Sequence, residues 1–181
     1  MKKTGLLIVL ILQVLLMQAQ FSKANLQATG LTCALCSNAI NKALKQLPFV
    51  ESVKADIKNS SFSIVFRPGV EVKPDAIRDA VEGAGFFVGG LQLTGSFNNL
   101  NTGPDGIIRL GTNWFRFLNS SNKALNGEVT FTLQDKSFLT AKAFKKISST
   151  VKIPSLSTGK AEADQVKSGV KKGERIYHVT I

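Results

Sequence analysis

The chain has 181 residues and a formal net charge of +11, and 44% of its residues are hydrophobic. At about 100–200 residues per domain, this length allows one domain or two small ones and excludes a large multidomain enzyme. The apolar content excludes a disordered chain. Two cysteines are too few for a disulfide-dense mini-protein, and a single histidine leaves little room for imidazole catalysis or a multi-histidine metal site.

The N-terminal residues have the pattern of a secretory signal peptide. A short positive segment precedes an almost unbroken apolar run over residues 5–17. This run is shorter than the roughly 20 residues that a membrane span requires. We therefore expect a signal peptide over residues 1–19, cleaved after Ala19 or as late as Ala24, and a periplasmic or otherwise exported protein. An uncleaved membrane anchor is the alternative.

Residues 25–94 have the periodicity of four short strands and two helices. Alternating apolar and polar residues predict the strands, and apolar residues at helical spacing predict the helices. The strands are expected near residues 26–30, 53–57, 62–66 and 86–93, and the helices near 36–47 and 74–84. The order βαββαβ predicts a ferredoxin-like sheet with both helices on one face.

The remainder of the chain predicts a second, β-rich unit. Residues 95–106 are rich in Gly, Asn and Pro and predict a linker. Strands are expected at residues 107–110, 114–118, 127–133, 138–147 and 175–181, with a short helix at 164–170. We therefore predict an α+β chain, in which the ferredoxin-like domain is followed by a small all-β domain over 107–181, with a five-stranded OB-type barrel as its expected form.

Both cysteines fall between the first predicted strand and the first predicted helix. Cys33 is placed in the loop and Cys36 in the first helical turn. Because a helix N-terminus favours negative charge, both thiols should deprotonate readily. Soft thiolates select soft metals, and a two-thiolate site suits ions that accept near-linear coordination, which are Cu(I), Ag(I) and Hg(II). A structural zinc site requires four ligands.

The cysteine loop, in this element order, resembles that of heavy-metal-associated domains, the module of copper chaperones and of the N-terminal repeats of copper-transporting ATPases. That family carries a Gly-Met-Thr-Cys-x-x-Cys loop, and here Leu31 replaces the Met and Thr32 is retained. Ala84-Gly85-Phe86 resembles the second loop of the family. The resemblance implies Cu(I) binding by Cys33 and Cys36, loop support from Thr32, and Leu31 and Phe86 packed under and beside the site.

Several alternatives remain at this stage. Cys33 and Cys36 could instead form a disulfide in a structural or thiol-redox module, and the thioredoxin arrangement also begins a helix with two spaced cysteines. Within metal handling, Hg(II) is the leading alternative to Cu(I), because similar exported proteins serve in mercury resistance. His178 lies in an alternating strand and is expected to be a half-buried strand residue.

We expect an exported Cu(I) carrier or scavenger rather than an enzyme. Its partner would be a metal-donating or metal-accepting protein, for which a membrane-bound transporter is one candidate. The metal would move by ligand exchange, in which an incoming thiolate gives a three-coordinate intermediate before one cysteine leaves. The basic surface is not expected to bind nucleic acid, since an exported protein seldom meets it.

Overall fold

The computed structural model describes residues 21–31, 34–119, 121–163 and 168–181. The predicted α+β class is confirmed, with a ferredoxin-like part followed by a largely β region. The predicted helix at 164–170 falls mostly on residues 164–167, which lie outside the described residues, as does the predicted signal peptide. Within the described part of the chain, no helix is both long and apolar enough to cross a membrane.

The first half has the predicted βαββαβ order. It contains four strands, β1 to β4, and two helices, α1 and α2. Their order is β1 Phe21–Thr29, α1 Ala34–Lys45, β2 Val50–Asp56, β3 Ser61–Phe66, α2 Pro74–Gly83 and β4 Phe87–Asn101. Both helices bury apolar residues in one core, among them Ile40 of α1 and Ile77 of α2. Pro74 occupies the first turn of α2, where its missing N–H costs no helical hydrogen bond.

The second half contributes four more strands and three short helical segments. They are β5 Ile107–Leu110, β6 Asn113–Phe117, β7 Ala124–Leu133, a 3₁₀ turn at Lys136–Phe138, α3 Ala141–Thr150, α4 Ser155–Thr158 and β8 Ile176–Thr180. All eight strands of the described residues form one sheet in the order β2-β3-β1-β4-β7-β8-β6-β5. The OB-type barrel is therefore not formed, because the strands of the second half extend the ferredoxin-like sheet instead of closing on themselves.

The linker prediction is wrong for residues 95–101. These residues continue β4, which pairs with β1 on one side and with β7 on the other. The Asn-rich composition marks a break in register between Phe97 and Leu100, where Asn99 has a positive φ of 51°. A β-bulge accommodates such a residue within a strand. The Gly- and Asn-rich composition that predicts a linker is therefore also compatible with a long strand that contains a bulge.

The predicted strand at 138–147 is also wrong, since residues 141–150 form α3. Thr140 caps this helix, and its hydroxyl oxygen accepts a hydrogen bond from the amide of Ala143 at 3.2 Å. The Ala and Lys residues of the segment are strong helix formers. Phe144 and Ile147, three residues apart, share one helix face and are half-buried. The apolar residues of the segment therefore follow the helical period rather than the strand period.

An aromatic cluster joins the two halves into one hydrophobic core. Phe131 of β7 is fully buried and contacts four other rings. It stacks on Phe97 at a centroid distance of 5.2 Å and meets Phe21, Phe115 and Phe117 edge-on at 5.3, 5.6 and 5.0 Å. Because these rings come from β1, β4, β6 and β7, the core crosses the boundary that the sequence suggests between two domains.

Candidate metal centre

The loop that carries the cysteines begins at the end of β1. Gly30 has a φ of +86°, a conformation that glycine adopts without strain, and it turns the chain out of the strand. Thr32 and Cys33 lie outside the described residues, so their predicted roles stay predictions. The chain resumes at Ala34, the first residue of α1.

Cys36 lies in the first turn of α1, as the sequence predicts. It is half-buried, and its sulfur is disulfide-bonded in this structure. The first turn of α1 contains no acidic side chain, whereas Lys42 and Lys45 lie in the last turn. Because no carboxylate competes for the positive end of the helix dipole, the reduced form of Cys36 would have that field available to stabilise a thiolate.

The predicted supporting residues lie around this loop. A Cβ atom on Gly30 would meet Cδ1 of Phe86 at 3.9 Å, so the aromatic ring lies beside the start of the loop. Leu31 and Phe86 are both half-buried and pack against the main hydrophobic core. The two side chains are therefore placed where they could limit the access of water to one side of the loop.

Two large apolar side chains near the loop face solvent. Leu35, next to Cys36 in the chain, is 81% exposed, and Phe87 is 67% exposed. Phe87 is the strand partner of Thr29, which directly precedes Gly30. Exposed apolar side chains therefore lie beside Cys36 in the chain and opposite the last residue of β1.

Polar contacts hold the second half against the segment that leads into α2. The carboxylate of Glu71 accepts hydrogen bonds from the amide and the hydroxyl of Thr112, the latter at 2.7 Å. The side-chain amide of Asn113 donates to the carbonyl of Val72 at 2.9 Å. These contacts fix the β5–β6 turn on the ferredoxin-like part.

Arg175 makes the most extensive of these contacts. Its guanidinium donates to both carboxylate oxygens of Asp75 in α2, at 2.8 and 3.1 Å, and lies 3.9 Å from the ring centre of Tyr177. Burial by itself would raise the pKa of Asp75, but the hydrogen bond and charge of Arg175, with the charge of Arg78, hold that pKa below its ordinary value. Burial, assisted by the charge of Asp75, raises the pKa of Tyr177.

A second polar cluster lies behind Arg175, away from the cysteine loop. His178 of β8 is fully buried and hydrogen-bonds through Nδ1 to Oδ1 of Asp135 at 3.0 Å and through Nε2 to the hydroxyl of Ser155 at 2.9 Å. The backbone amide of His178 donates to the other oxygen of Asp135 at 2.9 Å. Asp135 and Ser155 are only 1% and 2% exposed.

No pattern in the sequence predicts this cluster. The prediction that His178 is a half-buried strand residue is wrong, because β8 lies between β7 and β6 with its side chains buried on both faces. No motif links the three residues, because Ser155 and Asp135 precede His178 by 23 and 43 positions. The single histidine of the chain is the only feature that could have drawn attention to it.

Comparison with known proteins identifies the first half. The family model of the heavy-metal-associated domain matches residues 26–87. The chain is 37% identical over 65 residues to a probable copper-transporting ATPase, HMA5, of Arabidopsis thaliana, an alignment that covers 36% of this chain and 6% of that protein. It is 30% identical over 123 residues to the human copper-transporting ATPase 2, covering 67% of this chain and 8% of that protein. The chain therefore spans less than a tenth of the length of these relatives.

Solved structures match a similar share of the chain. The CopZ metallochaperone is 27% identical, with a TM-score of 0.35, and the match covers 37% of this chain and 98% of that one. A copper-binding domain from HMA7, a P-type ATPase, is 34% identical, with a TM-score of 0.33, and covers 36% of this chain and 86% of that one. The matched family model, the cysteine loop and the βαββαβ order agree, and residues 26–87 of this chain are a heavy-metal-associated domain.

Proposed function

We propose that this protein is an exported carrier or scavenger of Cu(I), which it binds through Cys33 and Cys36. The match of residues 26–87 to the heavy-metal-associated domain carries this proposal. The position of Cys36 in the first turn of α1 supports it, because the helix field favours the thiolate that a soft metal requires. In this role the chain acts by binding and exchange and needs no catalytic group.

Metal transfer would proceed by exchange of thiolate ligands with a partner protein. An incoming thiolate forms a three-coordinate intermediate, and one of the two original cysteines then leaves. Leu35 and Phe87 border the loop with an exposed apolar surface that a metal-donating or metal-accepting protein could cover. A membrane-bound transporter is a candidate for this partner, and Ag(I) and Hg(II) are further candidate ions because they also accept two thiolates.

A thiol-redox or structural role is the second candidate. The observation that favours it is the disulfide-bonded state of Cys36 in this structure, and an oxidising compartment would preserve such a bond. An oxidised pair offers no thiolate, so the two roles exclude each other in any one molecule at any one time. The carrier role requires both cysteines of the isolated protein to be reduced, whereas the redox or structural role requires them to form a disulfide.

A Cu(I) competition titration on the mature protein, with and without prior reduction, tests the proposal and separates these roles. Binding of one equivalent in both states is the result expected of a working carrier. Binding only after reduction would favour the redox role. No tight binding by the reduced protein would exclude Cu(I) as the cargo, and parallel Hg(II) and Ag(I) titrations would then decide between the remaining metals and none.

We also propose that the protein is exported and that cleavage occurs after Ala19. Phe21 is 7% exposed and contacts three rings of the aromatic cluster, so cleavage after Ala24 would remove a core side chain and the start of β1. We expect the exported chain to begin at Gln20 when it is expressed in a bacterium with a periplasm. Intact-mass measurement on the periplasmic fraction checks this, and a chain beginning at Asn25, or a protein retained in the cytoplasm, would contradict it.

A further inference from the structure

The hydrogen-bond chain from Asp135 through His178 to Ser155 has a defined polarity. An ionised carboxylate only accepts hydrogen bonds, so the Nδ1 atom of His178 carries the proton shared with Asp135. In the neutral imidazole the Nε2 atom is then an acceptor, to which the hydroxyl of Ser155, 2.9 Å away, donates. In this network the imidazole of His178 can act as a general base toward the serine hydroxyl, and the carboxylate of Asp135 orients that imidazole. This is the arrangement that activates a serine for attack.

Ser155 lies at the wall of an open cavity of about 260 Å³. Two cationic side chains, Arg116 and Lys152, line the same cavity, together with the small or apolar residues Ile153, Ala161 and Ile176. The volume fits a small molecule rather than a peptide, and the two cations outnumber the one lining carboxylate, that of Glu162, which favours a negatively charged ligand.

The backbone amide of Ser155 already binds an anionic oxygen. It donates a hydrogen bond to Oε1 of Glu162 at 2.5 Å, and Glu162 is an exposed residue that lines the cavity. The amide of an attacking serine is a common donor to the oxyanion that forms during acyl transfer. The Glu162 carboxylate therefore occupies the place where such an oxyanion would be bound, and it helps to keep Ser155 covered.

We propose that Asp135, His178 and Ser155 form a serine esterase site, which acts on small, negatively charged carboxylic esters and is masked by Glu162. The site is separate from the cysteine loop and does not depend on metal binding. Displacement of Glu162 by the substrate frees the amide of Ser155 and opens the hydroxyl to the cavity. The role of Arg116 and Lys152 is to hold the anionic end of the ester.

The reaction consumes one ester and one water. The Ser155 hydroxyl oxygen attacks the carbonyl carbon while its proton passes to Nε2 of His178. The bond from carbon to the alkoxide oxygen breaks, and His178 gives that proton to the departing alcohol. Water then attacks the carbonyl carbon of the acylated serine while His178 takes a proton from that water. His178 returns this proton to the Ser155 oxygen as the bond from carbon to that oxygen breaks, and the carboxylic acid is released.

Two measurements on the full mature chain test this proposal. A fluorophosphonate probe should label the folded protein at Ser155, as mapped by peptide mass spectrometry, and heat denaturation should abolish the labelling. Hydrolysis of mono-p-nitrophenyl succinate, a small ester with one free carboxylate, should rise in Glu162→Gln, which weakens the mask, and should disappear in Ser155→Ala. In Asp135→Asn it should fall by about 100-fold or more, since general-base catalysis contributes at least that factor.

Ser157→Ala is the matched control, because Ser157 lies in the same short helix and is exposed. It should leave both labelling and hydrolysis unchanged. The proposal is overturned if neither the wild type nor Glu162→Gln is labelled at Ser155, or if Ser155→Ala keeps the hydrolysis of the parent. Loss of thermal stability in Asp135→Asn without any labelling would mean that the hydrogen-bond chain is structural only.

Discussion

Replacement of Cys36 by serine should lower the Cu(I) affinity of the reduced protein by more than about 100-fold. Even changes in groups that only support a metal ligand cost about 10–100-fold, and this substitution removes one of two proposed ligands. A serine hydroxyl is a hard, neutral donor that does not replace a soft thiolate. Competition against a Cu(I) chelator of known affinity, under reductant, measures the change.

Leu35→Ser provides the matched control for this experiment. Leu35 is the neighbour of Cys36 and is 81% exposed, so its replacement changes the same helical turn without removing a sulfur or a core side chain. Its Cu(I) affinity should stay within a few-fold of the parent. Cys33→Ser should behave like Cys36→Ser, and parental Cu(I) binding by both cysteine variants would show that the metal site lies elsewhere in the chain.

Replacement of Arg175 by methionine should destabilise the protein by about 2–3 kcal/mol, which is less than the cost of breaking a fully buried ion pair because the Arg175 side chain is 27% exposed. Arg175 contacts two carboxylates, Asp75 and Asp135, and the latter is almost fully buried. Its guanidinium also donates to the carbonyls of Gly159 and Ile176, at 3.0 and 2.7 Å. Methionine keeps part of the volume but satisfies none of these acceptors. Urea unfolding followed by circular dichroism measures the difference in free energy.

Arg109→Met is the control for the loss of an arginine as such. Arg109 also lies over an aromatic ring, that of Trp114 at 5.2 Å, but it is exposed and its guanidinium Nε donates to the carbonyl of Gly111. We expect this variant to lose less than about 1 kcal/mol, as exposed charged contacts usually do. Equal losses in the two variants would mean that the Asp75 and Asp135 contacts of Arg175 contribute little to folding.

The shared core affects how the metal domain should be studied. β4 belongs to both halves of the chain, and Phe21 of the metal domain packs against rings of β4, β6 and β7. A fragment that ends near residue 94 would lose those rings and expose Phe21 together with the β4 edge that pairs with β7. Point substitutions in the full chain therefore test the metal site more cleanly than truncation does.

Local patterns in the sequence are sufficient to predict the secondary structure of the first half of this protein. The periods of apolar residues predict all six of its elements, because each strand or helix there buries one face and exposes the other. The two cysteines between the first strand and the first helix predict the location of the proposed metal site, since that chemistry depends on neighbouring residues. The family match to residues 26–87 agrees with this interpretation.

Only the tertiary structure decided the arrangement of the second half. Whether residues 95–101 form a loop or a strand depends on pairing with β7, which lies far along the chain. The burial of His178 depends on β6 and β7 flanking β8, and its contacts with Asp135 and Ser155 join residues that no local pattern connects. A single sequence records periodicity within each segment, but long-range pairing is selected by the burial and hydrogen bonding of the whole fold.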